Sequence, residues 1–229
     1  MLSISVKEFL IWKKQQLSKG GEYQSFAHLL DCKGGVSFSD LNFLNINTNG
    51  NLNLKKNLDY LSSIWEDHLL YSIPIQYLCG FAFWRDLKLR VTDKVLIPRS
   101  ETELIIDIVF RIFGNNTQKL FFAELGTGSG AISIALTLAF PSWEGIATDI
   151  DQDALEIAIR NYKDSAEQSN LRFLSGHWWT PLESFKGKLD LAISNPPYIP
   201  EDIYYKLPEE VKNFEPKIAL LGGDDGLKH

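Results

Sequence analysis

Apolar residues recur at helical spacing through the first 80 residues of the chain. One stripe lies in SVKEFLIWKKQQL, where Ser3 or Ser5 is available as a cap, and consists of Val6, Phe9, Leu10 and Trp12. SFAHLLDC has the same pattern, and NLKKNLDYLSSIWEDHLL carries Leu54, Leu58, Leu61, Ile64 and Trp65. Asn- and Gly-rich stretches, notably NINTNGNLN, separate these segments. The pattern predicts a small helical domain over residues 1–80, with its stripes buried and only its exposed face available for docking a substrate.

The spacing of apolar residues changes at residue 81. In residues 81–98, apolar residues alternate with polar or small ones, which predicts a β-hairpin around Arg85-Asp86 that connects two domains. From residue 99, strand-like runs such as KLFFAEL alternate with helical segments such as SGAISIALTLAF. This alternation predicts an α/β domain over residues 99–229, with a parallel, Rossmann-like sheet wound by right-handed crossovers.

Charge is distributed unevenly along the chain. Residues 1–80 hold seven Lys and seven Asp or Glu, whereas residues 81–229 hold sixteen Lys or Arg and twenty-two Asp or Glu, so the net charge of -6 belongs to the second region. Because phosphate contacts require Lys and Arg, no broad nucleic-acid surface is expected. Cys32 and Cys79 are far apart and lack metal-type spacing, which favours free thiols in a reducing compartment over the alternative, a disulfide, and predicts no metal site.

The chain shows neither a secretory h-region near its start nor a run of about 20 apolar residues. We therefore expect a protein without membrane insertion that resides in the cytoplasm, with an organelle stroma or matrix left open. We also expect a monomer.

A glycine-rich turn forms the first candidate site. Glu124-Leu125-Gly126-Thr127-Gly128-Ser129-Gly130 stands between a predicted strand and a predicted helix, where a doubly wound sheet binds a nucleotide-like ligand. Such a turn can also be purely structural. Asp149 ends the next predicted strand, and a carboxylate there can accept hydrogen bonds from a ribose diol. Its alternative role is to cap the next helix, for which Asp151 or Asp153 is better placed.

Glu124 distinguishes between two ligand classes that fit this turn, a dinucleotide and S-adenosylmethionine. A dinucleotide places its pyrophosphate at the helix N-terminus, and an acid directly before the glycines would repel it. A carboxylate suits the cationic methionine moiety of S-adenosylmethionine. The residue types therefore favour methyl transfer over hydride transfer by a nicotinamide oxidoreductase.

The second candidate site is Asn195-Pro196-Pro197-Tyr198, which follows the apolar run LDLAIS. Two consecutive prolines fix the backbone and remove two N–H donors. A planar NH2 nucleophile could then donate one N–H to the Asn195 side-chain oxygen and the other to the Pro196 carbonyl, while the Tyr198 ring packs against it. The alternative is that the four residues form only a sharp turn after a strand.

The motifs together resemble the release-factor glutamine methyltransferases. The segments that carry the resemblance are PIQYLCGFAFW (74–84), LIPRSETE (96–103), ELGTGSGA (124–131), TDIDQDALEIAIRN (148–161), NPPYI (195–199) and EPKIALLGGDDGL (215–227). NPPY is shared with adenine-N6 and other amino methyltransferases, whereas the first two segments make the match specific. The resemblance is strong over about residues 70–227, and the helical N-terminal region agrees in kind only.

The resemblance implies an S-adenosylmethionine-dependent enzyme that methylates the side-chain amide of the Gln in the Gly-Gly-Gln motif of class-I peptide chain release factors. It places Gly126, Thr127, Gly128, Ser129 and Gly130 around the methionine part of the cofactor, beside Glu124. It places Asp149 at the ribose and Trp178 near the adenine. Residues 195–198 would hold the substrate Gln, with Asn195 also near the cofactor. Arg99, Glu101 and Glu103 would line the cleft, the alternative being a salt bridge at a helix start, and residues 1–80 would dock the release factor.

The sequence departs from the family pattern at two places. His177 stands where the family has an acid before Trp178, which weakens the expected adenine contact. The family also continues for roughly fifty residues after the last matching segment, so we expect the C-terminal strands of the sheet to be missing and a sheet edge to be exposed. Two alternatives therefore stay open: an adenine-N6 or other amino methyltransferase acting on nucleic acid, and a truncated paralogue that binds without turnover.

Overall fold

The computed structural model describes residues 2–44, 49–114, 118–165 and 170–229. Part of the predicted NINTNGNLN linker (45–48) and the last residue of the predicted helix DQDALEIAIRNYKDSA (166) lie outside the described residues. The chain divides into two compact units, Met1–Gly80 and Phe81–His229. The predicted limits of the hairpin connector and of the methyltransferase domain stay predictions.

The first unit is mainly helical, as the apolar spacing predicts. Ser5 caps the first helix, because its side chain accepts a hydrogen bond from the Glu8 N–H at 3.2 Å. The helices are α1 (Val6–Leu17), α2 (Tyr23–Leu29), α3 (Phe38–Leu44), α4 (Leu58–Tyr71) and α5 (Ile75–Cys79), and a π-helical turn (Leu30–Gly34) follows α2.

The helical prediction for this unit missed a two-stranded antiparallel sheet formed by β1 (Leu2–Ser5) and β2 (Asn51–Leu54). Leu54 accordingly belongs to a strand and not to a helical stripe. The reason is local: Asn57 caps α4 by accepting the Tyr60 N–H at 2.8 Å, which starts that helix after Leu54.

The core of the first unit is built around aromatic rings on different helices. The rings of Phe26 and Trp65 meet edge to face with centroids 5.0 Å apart, and both side chains are fully buried. The Trp65 indole N–H donates to the Gln16 carbonyl at 3.2 Å, so burial leaves its polar atom satisfied.

The second unit begins with the predicted hairpin, β3 (Phe81–Trp84) and β4 (Leu87–Arg90), which are antiparallel. A 3-10 turn (Ser100–Thr102) then leads into the alternating elements α6 (Glu103–Phe113), β5 (Phe121–Leu125), α7 (Ala131–Ala139), β6 (Glu144–Asp149), α8 (Gln152–Ser165), β7 (Leu171–Ser175), β8 (Leu191–Ser194), α9 (Glu201–Tyr204) and α10 (Glu209–Phe214). No helix in the described ranges is long and apolar enough to cross a membrane.

The four parallel strands lie in the order β7-β6-β5-β8, which confirms the predicted α/β class. The next two strands, β6 and β7, lie to one side of β5, and β8 returns to its other side. The strand order therefore reverses between β5 and β8, and a crevice opens at the carboxyl ends of strands at such a point. This crevice is where an open α/β sheet binds its ligands, so the two candidate motifs, which follow β5 and β8, share one place.

Candidate active site

The glycine turn leaves the end of β5 in a backbone conformation that favours glycine. Gly126, Gly128 and Gly130 have φ angles of 72°, 54° and 85°. A Cβ built on Gly128 would meet nothing within 4 Å, whereas a Cβ on Gly130 would lie 3.0 Å from the Ile134 side chain. The first part of the turn therefore faces open space that a ligand can enter, and the last glycine lets α7 begin close to its neighbours.

Glu124 is the buried acid beneath this turn, with 2% of its surface exposed. Its Oε2 accepts hydrogen bonds from the Thr127 hydroxyl at 2.6 Å, from the Ser133 N–H at 3.0 Å and from the Ser133 hydroxyl. Burial raises the pKa of Glu124 from 4.5 to about 8, against the opposing effect of these hydrogen bonds. Glu124 also lines the cleft, so a ligand cation there would stabilise its ionised form.

Asp149 ends β6 and faces the same cleft. Its two oxygens accept the Gly128 N–H at 2.8 Å and the Asp151 N–H at 3.0 Å. Each carboxylate oxygen has a second lone pair, which can accept a hydrogen bond from a ribose hydroxyl. Burial raises the pKa of Asp149, while its backbone hydrogen bonds lower it. The helix-capping role falls to Asp151, whose Oδ1 accepts from the backbone of Asp153 at 2.8 Å.

Trp178 follows β7 and lines the cleft with a φ angle of 47°. Its indole lies 6.2 Å from the ring of His177 and 5.4 Å from the ring of His229, measured between centroids. His177 is exposed and also lines the cleft. Trp178 thus presents an aromatic side chain to the cleft beside a histidine, and its contact with the adenine stays a prediction.

Asn195 follows the last residue of β8, and the amide nitrogen of its side chain makes a hydrogen bond within the protein. The Asn195 Nδ2 group donates a long hydrogen bond of 3.4 Å to the Thr102 hydroxyl. In the described part of the chain, no hydrogen bond reaches Asn195 Oδ1 or the Pro196 carbonyl. Both oxygens are therefore available as acceptors, as the predicted role requires.

The residues of the Asn195–Tyr198 motif differ in whether they face the cleft or the solvent. Asn195 and Pro197 line the cleft, whereas Tyr198 is 64% exposed. The loop is fixed from behind, because the Ile199 N–H donates to the Leu220 carbonyl at 2.9 Å and Ile199 accepts from Gly222 at 2.9 Å. A Cβ on Gly222 would lie 2.8 Å from the Tyr198 Cα, so the C-terminal segment packs directly on the motif.

Arg99 lines the cleft, but Glu101 and Glu103 are not among the described residues that do so. The Arg99 guanidinium pairs with Glu215 at 2.6 Å, and only 1% of the Glu215 side chain is exposed. Burial raises the pKa of Glu215, and the Arg99 charge opposes that effect. Glu103 accepts a hydrogen bond from the Arg85 N–H at 3.3 Å instead, so the expected pairing at the helix start does not involve Arg99.

The sequence motifs did not single out several other residues of the cleft. Thr102 orients Asn195 from 93 positions away, and a contact over that separation leaves no local signal. Ile150 follows Asp149, and Ile218, Ala219 and His229 come from the C-terminal segment. The position of Ile150 after a strand-ending acid is the one signal that could have found it.

Comparisons with known proteins show the family of the chain. Residues 105–206 match the family model described as the methyltransferase small domain. The release factor glutamine methyltransferase of Prochlorococcus marinus is 44% identical over 97% of this chain and 76% of its own length. The chain belongs to the release factor glutamine methyltransferases. The Synechocystis sp. member is 43% identical over 72% of this chain, which spans 56% of that relative.

A solved structure supports the fold alone. The hMettl16 catalytic domain, solved in complex with the MAT2A 3'UTR hairpin 6, has a TM-score of 0.51 and is 14% identical, covering 92% of this chain and 71% of that chain. The present family member therefore has the class I methyltransferase fold, and S-adenosylmethionine is its methyl donor.

Proposed function

We propose that this chain methylates the side-chain amide nitrogen of the glutamine in the Gly-Gly-Gln motif of class-I peptide chain release factors. One observation carries the proposal: Asn195 presents an unoccupied acceptor oxygen in the same cleft as Glu124 and Asp149. The substrate name comes from the relatives, which are named release factor glutamine methyltransferases. The catalytic half is acidic, which argues against a phosphate-rich substrate.

The residues after β8 are suited to an amide nucleophile. An amide nitrogen is weakly nucleophilic because its lone pair is delocalised, so it must be held in line and relieved of competing water contacts. Asn195 Oδ1 and the Pro196 carbonyl can each accept one N–H of a substrate NH2 group. Pro197 fixes the geometry of that carbonyl, and Tyr198 offers an exposed ring to the planar amide.

The residues around the glycine turn fit S-adenosylmethionine. Gly126 and Gly128 face open space, Glu124 offers a buried carboxyl for the cationic methionine end, and Asp149 retains acceptor capacity for the ribose. Trp178 supplies an apolar face near the adenine. Bound S-adenosylmethionine would provide an electrophilic methyl group on a sulfonium. Asn195 lies at the junction of the cofactor and substrate regions and is assigned to both.

The proposal also assigns a substrate-docking surface, an oligomeric state and a cellular location to the chain. The exposed face of the first unit would dock the release factor, and Arg99 would contact the substrate segment beside the cleft. The enzyme would act as a cytoplasmic monomer, without direct nucleic-acid binding.

The decisive experiment incubates the 229-residue chain with labelled S-adenosylmethionine and a release factor. Parallel reactions contain a release factor whose Gly-Gly-Gln glutamine is replaced by Ala, and an oligonucleotide in place of protein. We expect label on the intact release factor only. Label on the Gln→Ala protein or on the oligonucleotide would contradict the proposal. Absence of all transfer, while calorimetry still shows cofactor binding, would support a paralogue that binds without turnover.

A further inference from the structure

Three metal-ligating side chains meet in the first unit, although the sequence separates them. The candidate ligand atoms of His28, Cys32 and Cys79 all lie within 4.8 Å of one another. The Cys32 Sγ lies 3.5 Å from the His28 Nε2. The spacing between the two cysteines predicts no metal site, but His28, four positions before Cys32, supplies a third candidate ligand.

The local backbone explains how the cluster forms. His28 lies in the last turn of α2, and Cys32 lies one turn later in the π-helical turn Leu30–Gly34. Cys79 is the last residue of α5, which packs against α2. A π-helical turn is an uncommon interruption of a helix and occurs frequently at functional sites. Here it carries one of the three candidate ligands.

We propose that His28, Cys32 and Cys79 bind one Zn²⁺ ion. Tetrahedral zinc with Zn–S of about 2.3 Å and Zn–N of about 2.05 Å separates sulfur from nitrogen by about 3.6 Å and sulfur from sulfur by about 3.8 Å. The observed sulfur–nitrogen distance of 3.5 Å matches this geometry, and a movement of the Cys79 Sγ by about 1 Å would bring it to these distances as well.

The charge of the three ligands and their exposure to water also suit Zn²⁺. Two thiolates balance the double positive charge of the ion, so the centre is neutral, and metal binding releases the two thiol protons. Cys79 is 1% exposed, whereas His28 and Cys32 are half-buried. Because His28 and Cys32 are half-buried, water can reach the ion as its fourth ligand, which is usual where zinc has three protein ligands. A soft thiolate pair also disfavours Mg²⁺ and Ca²⁺.

A bound ion would link two segments of the helical unit that are far apart in sequence. It would join the α2 region to the last helical residue before the second unit, closing a long stretch of chain that includes α3 and α4. Such a link stabilises the folded unit by restricting the unfolded chain, and zinc should therefore raise the Tm of the protein.

The test uses the full chain, reduced and free of affinity tags, titrated with Zn²⁺ against a chromophoric chelator. We expect one zinc per chain. Replacing zinc by Co²⁺ should give a near-ultraviolet thiolate charge-transfer band together with visible tetrahedral bands. Zinc binding well below one per chain, or cobalt spectra without the thiolate band, would overturn the proposal.

Three variants and a control locate the site. Cys32→Ser, Cys79→Ala and His28→Ala should each weaken zinc binding by more than the roughly 10–100-fold that loss of an outer-shell partner costs. His229→Gln, which removes a histidine outside the cluster, should bind zinc normally. Circular dichroism of the metal-free proteins checks that each variant is folded, and the half-buried Cys32→Ser is the variant least prone to unfolding. Unchanged zinc affinity in folded Cys32→Ser would refute the assignment. So would a mass of the purified, unreduced protein that is two hydrogen atoms lower than after reduction, because it would reveal a Cys32–Cys79 disulfide in place of zinc.

Discussion

Binding of S-adenosylmethionine should release a proton from Glu124. Burial raises the pKa of this carboxyl to about 8, so in the cofactor-free protein at pH 6.5 about 97% of it is protonated. An ammonium group bound nearby favours the carboxylate, because opposite charges stabilise each other where water is scarce. The α-amino group of the cofactor, with a pKa of about 7.7–8.0, takes up only about 0.05 proton at that pH. The net release is therefore about 0.9 proton per cofactor bound.

Isothermal calorimetry at pH 6.5 measures this number. Titrations in two buffers of different ionisation enthalpy give observed enthalpies whose slope against the buffer enthalpy is the number of protons exchanged. The matched control is Glu124→Gln, which keeps the size of the side chain and can still accept from Thr127 and Ser133. The variant should take up about 0.05 proton through the cofactor's α-amino group, so the wild-type protein should release about 1 proton more than the variant. The affinity of the wild-type protein should rise about tenfold between pH 5.5 and 6.5.

Two results would refute this reasoning. Equal proton release by the wild-type and Glu124→Gln proteins would show that Glu124 does not ionise when the cofactor binds. Zero release by the wild-type protein, with weak binding by the variant, would show a carboxylate that is already ionised in the cofactor-free protein. The second result would keep Glu124 in the site and reject its raised pKa.

Four other predictions follow from the same contacts. In the unfolded chain Glu124 loses its proton near pH 4.5, whereas the folded protein holds it to about pH 8, so the free energy of unfolding should fall across that interval. Glu124→Gln should therefore be the more stable protein at pH 8.5 by roughly 4–5 kcal/mol in urea unfolding, but not at pH 4. Asp149→Ala should weaken cofactor affinity by about 10–100-fold in calorimetry, and unchanged affinity would disprove the ribose role. Asn195→Ala should lower turnover by roughly 100-fold or more with near-normal cofactor affinity, and equal loss of both would contradict its role. Arg99→Met should lower the free energy of unfolding by about 2 kcal/mol, because it leaves Glu215 buried without its partner, and Arg99→Met/Glu215→Met should recover most of it.

The strands and helices with a strong repeat could be predicted from the sequence. KLFFAEL and LDLAIS are largely apolar runs, and both form strands of the parallel sheet. β5 is mostly buried, whereas β8 is partly buried. The short strands β1 and β2 could not be predicted, because their sequence patterns are weak. β1 and β2 are four residues each, and their pairing depends on partners about fifty positions apart, so no local repeat marks them. The spacing of Leu54 from Leu58 suits a helix, but Asn57 caps α4, so that helix begins at Leu58 and Leu54 lies in β2.

The residues of the cleft also divide into those whose position could be predicted from the sequence and those whose position could not. Glu124, Asp149 and Asn195 each lie at or just after the carboxyl end of a parallel strand, and such ends meet at one edge of a sheet whatever their distance in sequence. Their common position could therefore be anticipated from the strand pattern. Thr102 and the partner of Arg99 could not, because both contacts join segments about a hundred positions apart and depend on how the loops pack.

The cleft separates charged groups from uncharged ones in a way that suits its two ligands. Glu124 and Asp149 carry the carboxyls that face the proposed cofactor, which is a cation, and burial makes each of them hold its proton more tightly than usual until a partner arrives. Asn195 and Pro196 offer only uncharged oxygens to the proposed amide. An amide needs orientation rather than a base, since its nitrogen can lose a proton easily only after it has been methylated, and uncharged acceptors keep the same hydrogen-bonding capacity at every physiological pH. The pH dependence of the enzyme should therefore arise in cofactor binding, at Glu124, and not in the groups that hold the substrate.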